Sequence, residues 1–169
     1  MLYRYFYIFL LLINGGLLLA DKGQVNLLIY GDSISAGYGM DKDKQWSGEF
    51  QKILNEEKIN IEIINKSLSG ETTGGGLSRL ERVLDNSMPS YILIELGGND
   101  ALRGYPPAKI RNNIEQMINL STKRGVKVFL MQIRILPNYG KRYQSSFESI
   151  YQDVAEENSI PLIPFMLND

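Results

Sequence analysis

Val25-Asn26-Leu27-Leu28-Ile29-Tyr30-Gly31-Asp32-Ser33 is an apolar run of strand length, closed by a glycine and two small polar residues. A run without polar alternation is what a strand buried on both faces requires. The pattern repeats outward from it. Trp46, Phe50, Ile53 and Leu54 recur at helical spacing and predict an amphipathic helix. Ile61 to Ile64 reads as a second strand, and Leu77, Leu80, Val83 and Leu84 mark a second helix stopped near Asn86 and Pro89. Tyr91 to Leu96 is a third strand, closed by Gly97-Gly98. Ile110, Ile114, Met117 and Ile118 stripe a third helix that starts at Pro106-Pro107, where proline suits a first turn. Val126 to Ile133 is a fourth strand. Tyr143, Phe147, Ile150, Tyr151 and Val154 stripe a fourth helix, and Ile160 to Ile163 closes the series as a short fifth strand. Strands alternating with helices predict one α/β domain over residues 21–169, a five-stranded parallel sheet with helices on both faces.

In such a sheet, ligands bind beyond the carboxyl ends of the strands. The loops to inspect are therefore Gly31 to Gly39, Ser67 to Gly76 and Gly97 to Gly104, all rich in glycine and small polar residues. Composition narrows the chemistry. The 169 residues carry a net charge of −1 with no basic block, which argues against nucleic acid as a partner. Cysteine is absent, which excludes disulfides, thiolate metal sites and a cysteine nucleophile. Histidine is absent as well, and with it the commonest general base and metal ligand.

The first 20 residues differ in kind. Arg4 precedes an apolar run from Tyr5 to Ile13, then Asn14-Gly15-Gly16, then Leu17-Leu18-Leu19-Ala20. This has the charged, apolar and small-residue order of a secretory signal peptide, and predicts an exported, periplasmic or secreted protein. An uncleaved leader would instead act as a membrane anchor, since the stretch nearly reaches the ~20 residues of a span.

Ser33 stands at a sharp strand-to-helix turn. A serine there exposes its hydroxyl and aims its own amide into the same space, so it can serve as nucleophile and oxyanion donor, or simply cap a helix. The stretch is not a Gly-x-Ser-x-Gly elbow, because Ser35 stands at the last glycine position. Its glycine spacing fits neither a phosphate loop nor a dinucleotide fingerprint, which disfavours a flavodoxin-like nucleotide binder.

Gly31-Asp32-Ser33-Ile34-Ser35-Ala36-Gly37-Tyr38-Gly39 resembles the first block of the SGNH, or GDSL, hydrolases. Asn65 to Thr73 resembles the second block, and Glu95-Leu96-Gly97-Gly98-Asn99-Asp100-Ala101-Leu102-Arg103-Gly104 the third. The branch it is most similar to is that of bacterial multifunctional acyl-CoA thioesterase I, lysophospholipase L1 and arylesterase. Leu130 to Arg134, Asn138-Tyr139-Gly140 and Pro161 to Phe165 read like that branch too. The resemblance implies a flavodoxin-like three-layer fold and a monomer that needs no metal or cofactor. It implies small acyl esters, thioesters or lysophospholipids as substrates, passing through an acyl-serine intermediate. Ser33 would be the nucleophile and, through its amide, one oxyanion donor; the Gly70 amide and the Asn99 side chain would be the others. Arg103, Gly104 and Tyr105 would line the acyl site, or form plain surface loop. Asp32 and Asp100 are expected to order their loops through hydrogen bonds to local amides.

The family's last block is Asp-x-x-His, in which the histidine takes the serine proton and the aspartate fixes its tautomer. This sequence reaches Leu167-Asn168-Asp169 without it. The expectation is of a C-terminally incomplete domain lacking the closing helix, with Ser33 deprived of its base and turnover impaired. Its alternative is a non-catalytic remnant of the same fold that binds an acyl or carboxylate group.

Overall fold

The computed structural model describes residues 25–41 and 44–166, so the leader read over residues 1–20 and the last three residues lie outside the described part. Five parallel strands, β1 (Val25–Gly31), β2 (Ile61–Asn65), β3 (Tyr91–Glu95), β4 (Lys127–Met131) and β5 (Leu162–Ile163), form one sheet in the order β2-β1-β3-β4-β5. Among the described residues six α-helices connect them: α1 (Ser33–Ala36), α2 (Trp46–Glu56), α3 (Thr73–Ser87), α4 (Gly98–Leu102), α5 (Pro107–Lys123) and α6 (Lys141–Glu157). The five predicted strands and four long helices are all present. Every residue of β3 is buried, as a central strand covered on both faces should be.

One face of the sheet carries α3, α5 and α6 over a core that includes Leu28, Tyr30, Ile92, Ile94, Val128 and Leu130. The apolar stripe of α5 supplies Ile110, Ile114, Met117 and Ile118 to it. Pro107 is the first residue of α5, where the missing N–H breaks no helical bond. On the opposite face, Phe50, Ile53 and Leu54 of α2 cluster with Leu27, Ile61, Tyr91, Leu93, Phe129, Met131 and Ile163.

The core also sets the height of the strand ends. On α6 the rings of Tyr143, Phe147 and Tyr151 follow one another, Tyr143 stacked on Phe147 at 6.4 Å and Phe147 edge-on to Tyr151 at 5.5 Å. The buried Tyr151 hydroxyl donates to the Leu96 carbonyl at 2.9 Å, just where β3 turns into its loop. Gly97 follows with φ +125°, and a Cβ there would overlap the Tyr151 hydroxyl. Only glycine fits that backbone in that space.

Register places the strand ends side by side. Gly31 of β1 pairs with Glu95 of β3, and Ile29 pairs with Asn65 of β2. Strand order reverses about β1, so the crevice between the ends of β1 and β3 is the topological switch point where ligands of such sheets sit.

Candidate active site

Asp32 caps α1: its carboxylate accepts from the Ile34 amide at 3.1 Å, and Gly37 ends the short helix in the left-handed region. This cap makes Ser33 the first residue of α1, half-buried at the mouth of the crevice. Among the described residues, no partner accepts from or donates to the Ser33 hydroxyl.

Asn99 lies in α4, the helix that begins directly after Gly97. Its side-chain nitrogen donates to the second oxygen of Asp32 at 2.8 Å. Asp32 therefore accepts from a local amide, as expected, and also ties the serine turn to the end of the neighbouring strand. With one N–H so engaged, the other N–H of the Asn99 amide is left for a ligand.

Gly70 sits on the loop after β2, exposed and at φ +77°, with nothing within 4 Å of where a Cβ would stand. Its surroundings are pinned to β1: the Gly31 amide donates to Ser67 Oγ at 3.0 Å, and the Leu68 amide donates to the Gly31 carbonyl at 3.0 Å. Arg103 reaches back across from the third loop, its guanidinium donating to the Gly70 carbonyl at 3.3 Å. Gly104, at φ +67°, is exposed. Tyr105 is turned into the fold instead: its carbonyl accepts from Tyr143 Oη at 2.7 Å, and Lys109 Nζ lies 5.0 Å from its ring centroid. Of the three loop residues expected to line an acyl site, Arg103 is the one hydrogen-bonded to the Gly70 loop among the described residues. Tyr139 packs on Tyr143, ring centroids 6.5 Å apart.

Asp100 departs from expectation. Its carboxylate accepts from the Thr73 amide at 2.8 Å and the Thr73 hydroxyl at 2.6 Å, and Asn113 donates to the same hydroxyl at 2.9 Å. These partners are 27 residues away in sequence, not local amides. All three side chains are buried. Asp100 thus clamps the start of α3, and with it the Gly70 loop, onto α4. Asp100→Ala is expected to lower the unfolding free energy by about 3 kcal/mol, because it strands two buried donors of Thr73. A reduced urea midpoint at constant slope would register this, and an unchanged midpoint would show that the clamp carries no stability.

Glu95 is the residue that sequence reasoning missed. It is fully buried, and one carboxyl oxygen accepts from Ser35 Oγ at 2.7 Å and from the Asp32 amide at 3.3 Å. The other oxygen is buried without a partner among the described residues. Burial pushes the Glu95 carboxyl up to about 8, and the negative charge of Asp32 adds to the rise. Burial also raises Asp32, but the bonds it receives from Ile34 and Asn99 favour its ionised form. Burial and the neighbouring Asp32 charge thus both favour the protonated form of Glu95. The signal was present in the sequence: one acid in a strand otherwise composed of large apolar residues.

A parallel α/β sheet that presents a serine at its switch point, tied through an aspartate to an asparagine on the next strand end, has the frame of a serine hydrolase site. Comparison with known proteins assigns the chain more closely. It matches the GDSL-like lipase/acylhydrolase family over residues 29–169 and belongs to that family. It is 47% identical over 148 residues to an arylesterase of Vibrio mimicus, covering 88% of this chain and 74% of that protein. To the thioesterase 1/protease 1/lysophospholipase L1 of Escherichia coli strain K12 it is 37% identical over 164 residues, covering 96% and 75% of the two chains. Among solved structures it is similar to AlinE4, an SGNH-hydrolase family esterase, with a TM-score of 0.82 and 39% identity over 88% of this chain and 79% of that one.

Proposed function

We propose that the chain engages carboxylic esters and thioesters at Ser33. In this reading the substrate carbonyl lies over the turn, and its oxygen is held by the Ser33 amide, the Gly70 amide and the Asn99 side chain. Attack by Ser33 Oγ forms the bond to the carbonyl carbon and releases the hydroxyl proton to solvent or an external base. Collapse expels the alkoxide or thiolate, which takes up a proton from solvent or the same base, and leaves an acyl-serine, which water then hydrolyses to the acid. The bond between Asp32 and Asn99 carries the reading, because it fixes an amide donor from one strand end beside the serine turn of the next. One such donor is worth about 3 kcal/mol in the transition state. The relatives named arylesterase and thioesterase 1/protease 1/lysophospholipase L1 support esters, thioesters and lysophospholipids as the substrate class. The leader-like first 20 residues support export.

Prolonged incubation with an activated acetyl ester, followed by peptide mapping, tests the proposal. One acetyl group on Ser33, absent in Ser33→Ala and much reduced in Asn99→Ala, is the expected result. Acetylation confined to lysines would overturn it. The absence of histidine from these 169 residues favours, for them alone, a second reading, an acyl- or carboxylate-binding protein without turnover. Saturable binding of a fatty acid with no Ser33 adduct is its signature.

A further inference from the structure

Six large apolar side chains stand exposed among the described residues: Tyr38, Met40, Leu68, Met88, Leu102 and Leu136. Single exposed apolar residues are ordinary and call for no explanation, but their distribution here is uneven. Tyr38 and Met40 lie on the loop after β1, Leu68 on the loop after β2, Leu102 at the end of α4 and Leu136 on the loop after β4. All five belong to the edge where the strands end and Ser33 sits. Met88, between α3 and β3, is alone at the opposite edge.

Hydrogen bonds hold several of these residues close to the crevice. The Tyr38 amide donates to the Ser33 carbonyl at 3.2 Å, and the Met40 amide to the Gly37 carbonyl at 3.0 Å. Leu68 is held to Gly31, and Leu102 is adjacent to Arg103, which reaches Gly70.

Charge on this edge is also one-sided. Lys66, Arg103, Lys141 and Arg142 are exposed on the same loops or on the first turn of α6, which starts at this edge. Among the described residues of these loops the only exposed acid is Asp41, paired with Lys44 at 3.0 Å, and Glu49 on the first turn of α2 is paired with Lys52 at 2.7 Å. The chain as a whole is at −1, so the cationic excess is local. Apolar side chains on loops shared with cations that make no ion pair among the described residues suit the boundary of an anionic lipid surface, where the first enter the acyl region and the second meet headgroups.

We propose that the strand-end rim formed by Tyr38, Met40, Leu68, Leu102 and Leu136 docks on anionic lipid aggregates, so that acyl substrate passes to Ser33 from the lipid phase. The delivery of substrate rests on the function proposed above; the docking itself does not, and it is read without turnover.

The chain has no cysteine, so one introduced cysteine can carry a polarity-sensitive fluorophore. Leu102→Cys, Leu136→Cys and, as the opposite-edge control, Met88→Cys are labelled in the full chain. Each is mixed with vesicles of phosphatidylcholine alone or with phosphatidylglycerol added. On the anionic vesicles the two rim labels are expected to brighten and shift to the blue while the Met88 label does not change. The shift should disappear at high salt, which screens headgroup contacts, and in a Lys66→Glu/Arg142→Glu background. Rim labels that remain as in buffer, or a Met88 label that shifts as far, would overturn the proposal. So would a rim response to a soluble protein with none to vesicles. A rim response that survives in Ser33→Ala, together with no acyl adduct on Ser33, would leave docking standing and remove the hydrolase reading alone.

Discussion

A polypeptide made of these 169 residues alone is expected to turn over a simple aryl ester on the order of 10⁶-fold more slowly than a family member that carries the Asp-x-x-His block. An alcohol is a weak nucleophile until a base takes its proton in the transition state, and these 169 residues hold no histidine to do so. The acids nearest Ser33 cannot substitute. Asp32 is held by Ile34 and Asn99, and Glu95 is buried behind the turn facing Ser35. Serine and histidine act as one unit, so removing the second after the first is gone changes little. Ser33→Ala should therefore alter the unassisted rate only slightly. Added imidazole should separate the components: it can enter beside Ser33 and accept the proton, so the rate should rise with its concentration. Imidazole also cleaves aryl esters in free solution, and the informative quantity is the difference between wild type and Ser33→Ala. A difference of zero at all imidazole concentrations, or an unassisted rate within about tenfold of the histidine-bearing enzyme, would refute the argument.

The parts of the fold that sequence could foretell are those in which a long stretch obeys one rule. β3 is apolar throughout because both its faces are covered, and α5 shows a stripe because one side is. α1 and α4, of four and five residues, escaped because a helix of one turn has no period to display. Their positions are set from outside, by the Asp32 cap and by the backbone that Gly97 adopts over Tyr151. The same limit applied to the site. Ser33, Gly70 and Asn99 could be singled out because each falls in a short block with a recognisable pattern. The bonds that hold those blocks together join Asp32 to Asn99 and Asp100 to Thr73, and sequence spacing says nothing of such distant pairs. Glu95 was legible as an anomaly but not as a partner of Ser35, since that pairing follows from the parallel register of β1 and β3.

The second large effect is on stability, and its sign follows from the direction of the Glu95 shift. Folding moves this carboxyl from 4.5 to about 8, so between those values the folded chain holds a proton that the unfolded chain has released. Stability must then fall as pH rises through that window, by up to ~1.4 kcal/mol per pH unit and on the order of several kcal/mol in all. Asp32, also raised, contributes with the same sign at the acid end of the window. Most proteins would obscure such a slope with histidine and cysteine titrations, but this sequence has neither. Glu95→Gln keeps a carbonyl oxygen able to accept from Ser35 and Asp32 and removes the titrating proton. Urea unfolding measured from pH 5 to pH 9 should give a falling curve for the wild type and a nearly flat one for the variant. The two should differ little at pH 5 and by several kcal/mol at pH 9, with the variant the more stable. Parallel curves would mean that Glu95 ionises normally in the fold. A pair that separates as pH rises would instead place a second negative charge beside Asp32 at high pH, under the turn that presents Ser33 and against the carboxylate that holds Asn99. The same titration that weakens the fold should then loosen the proposed oxyanion donor.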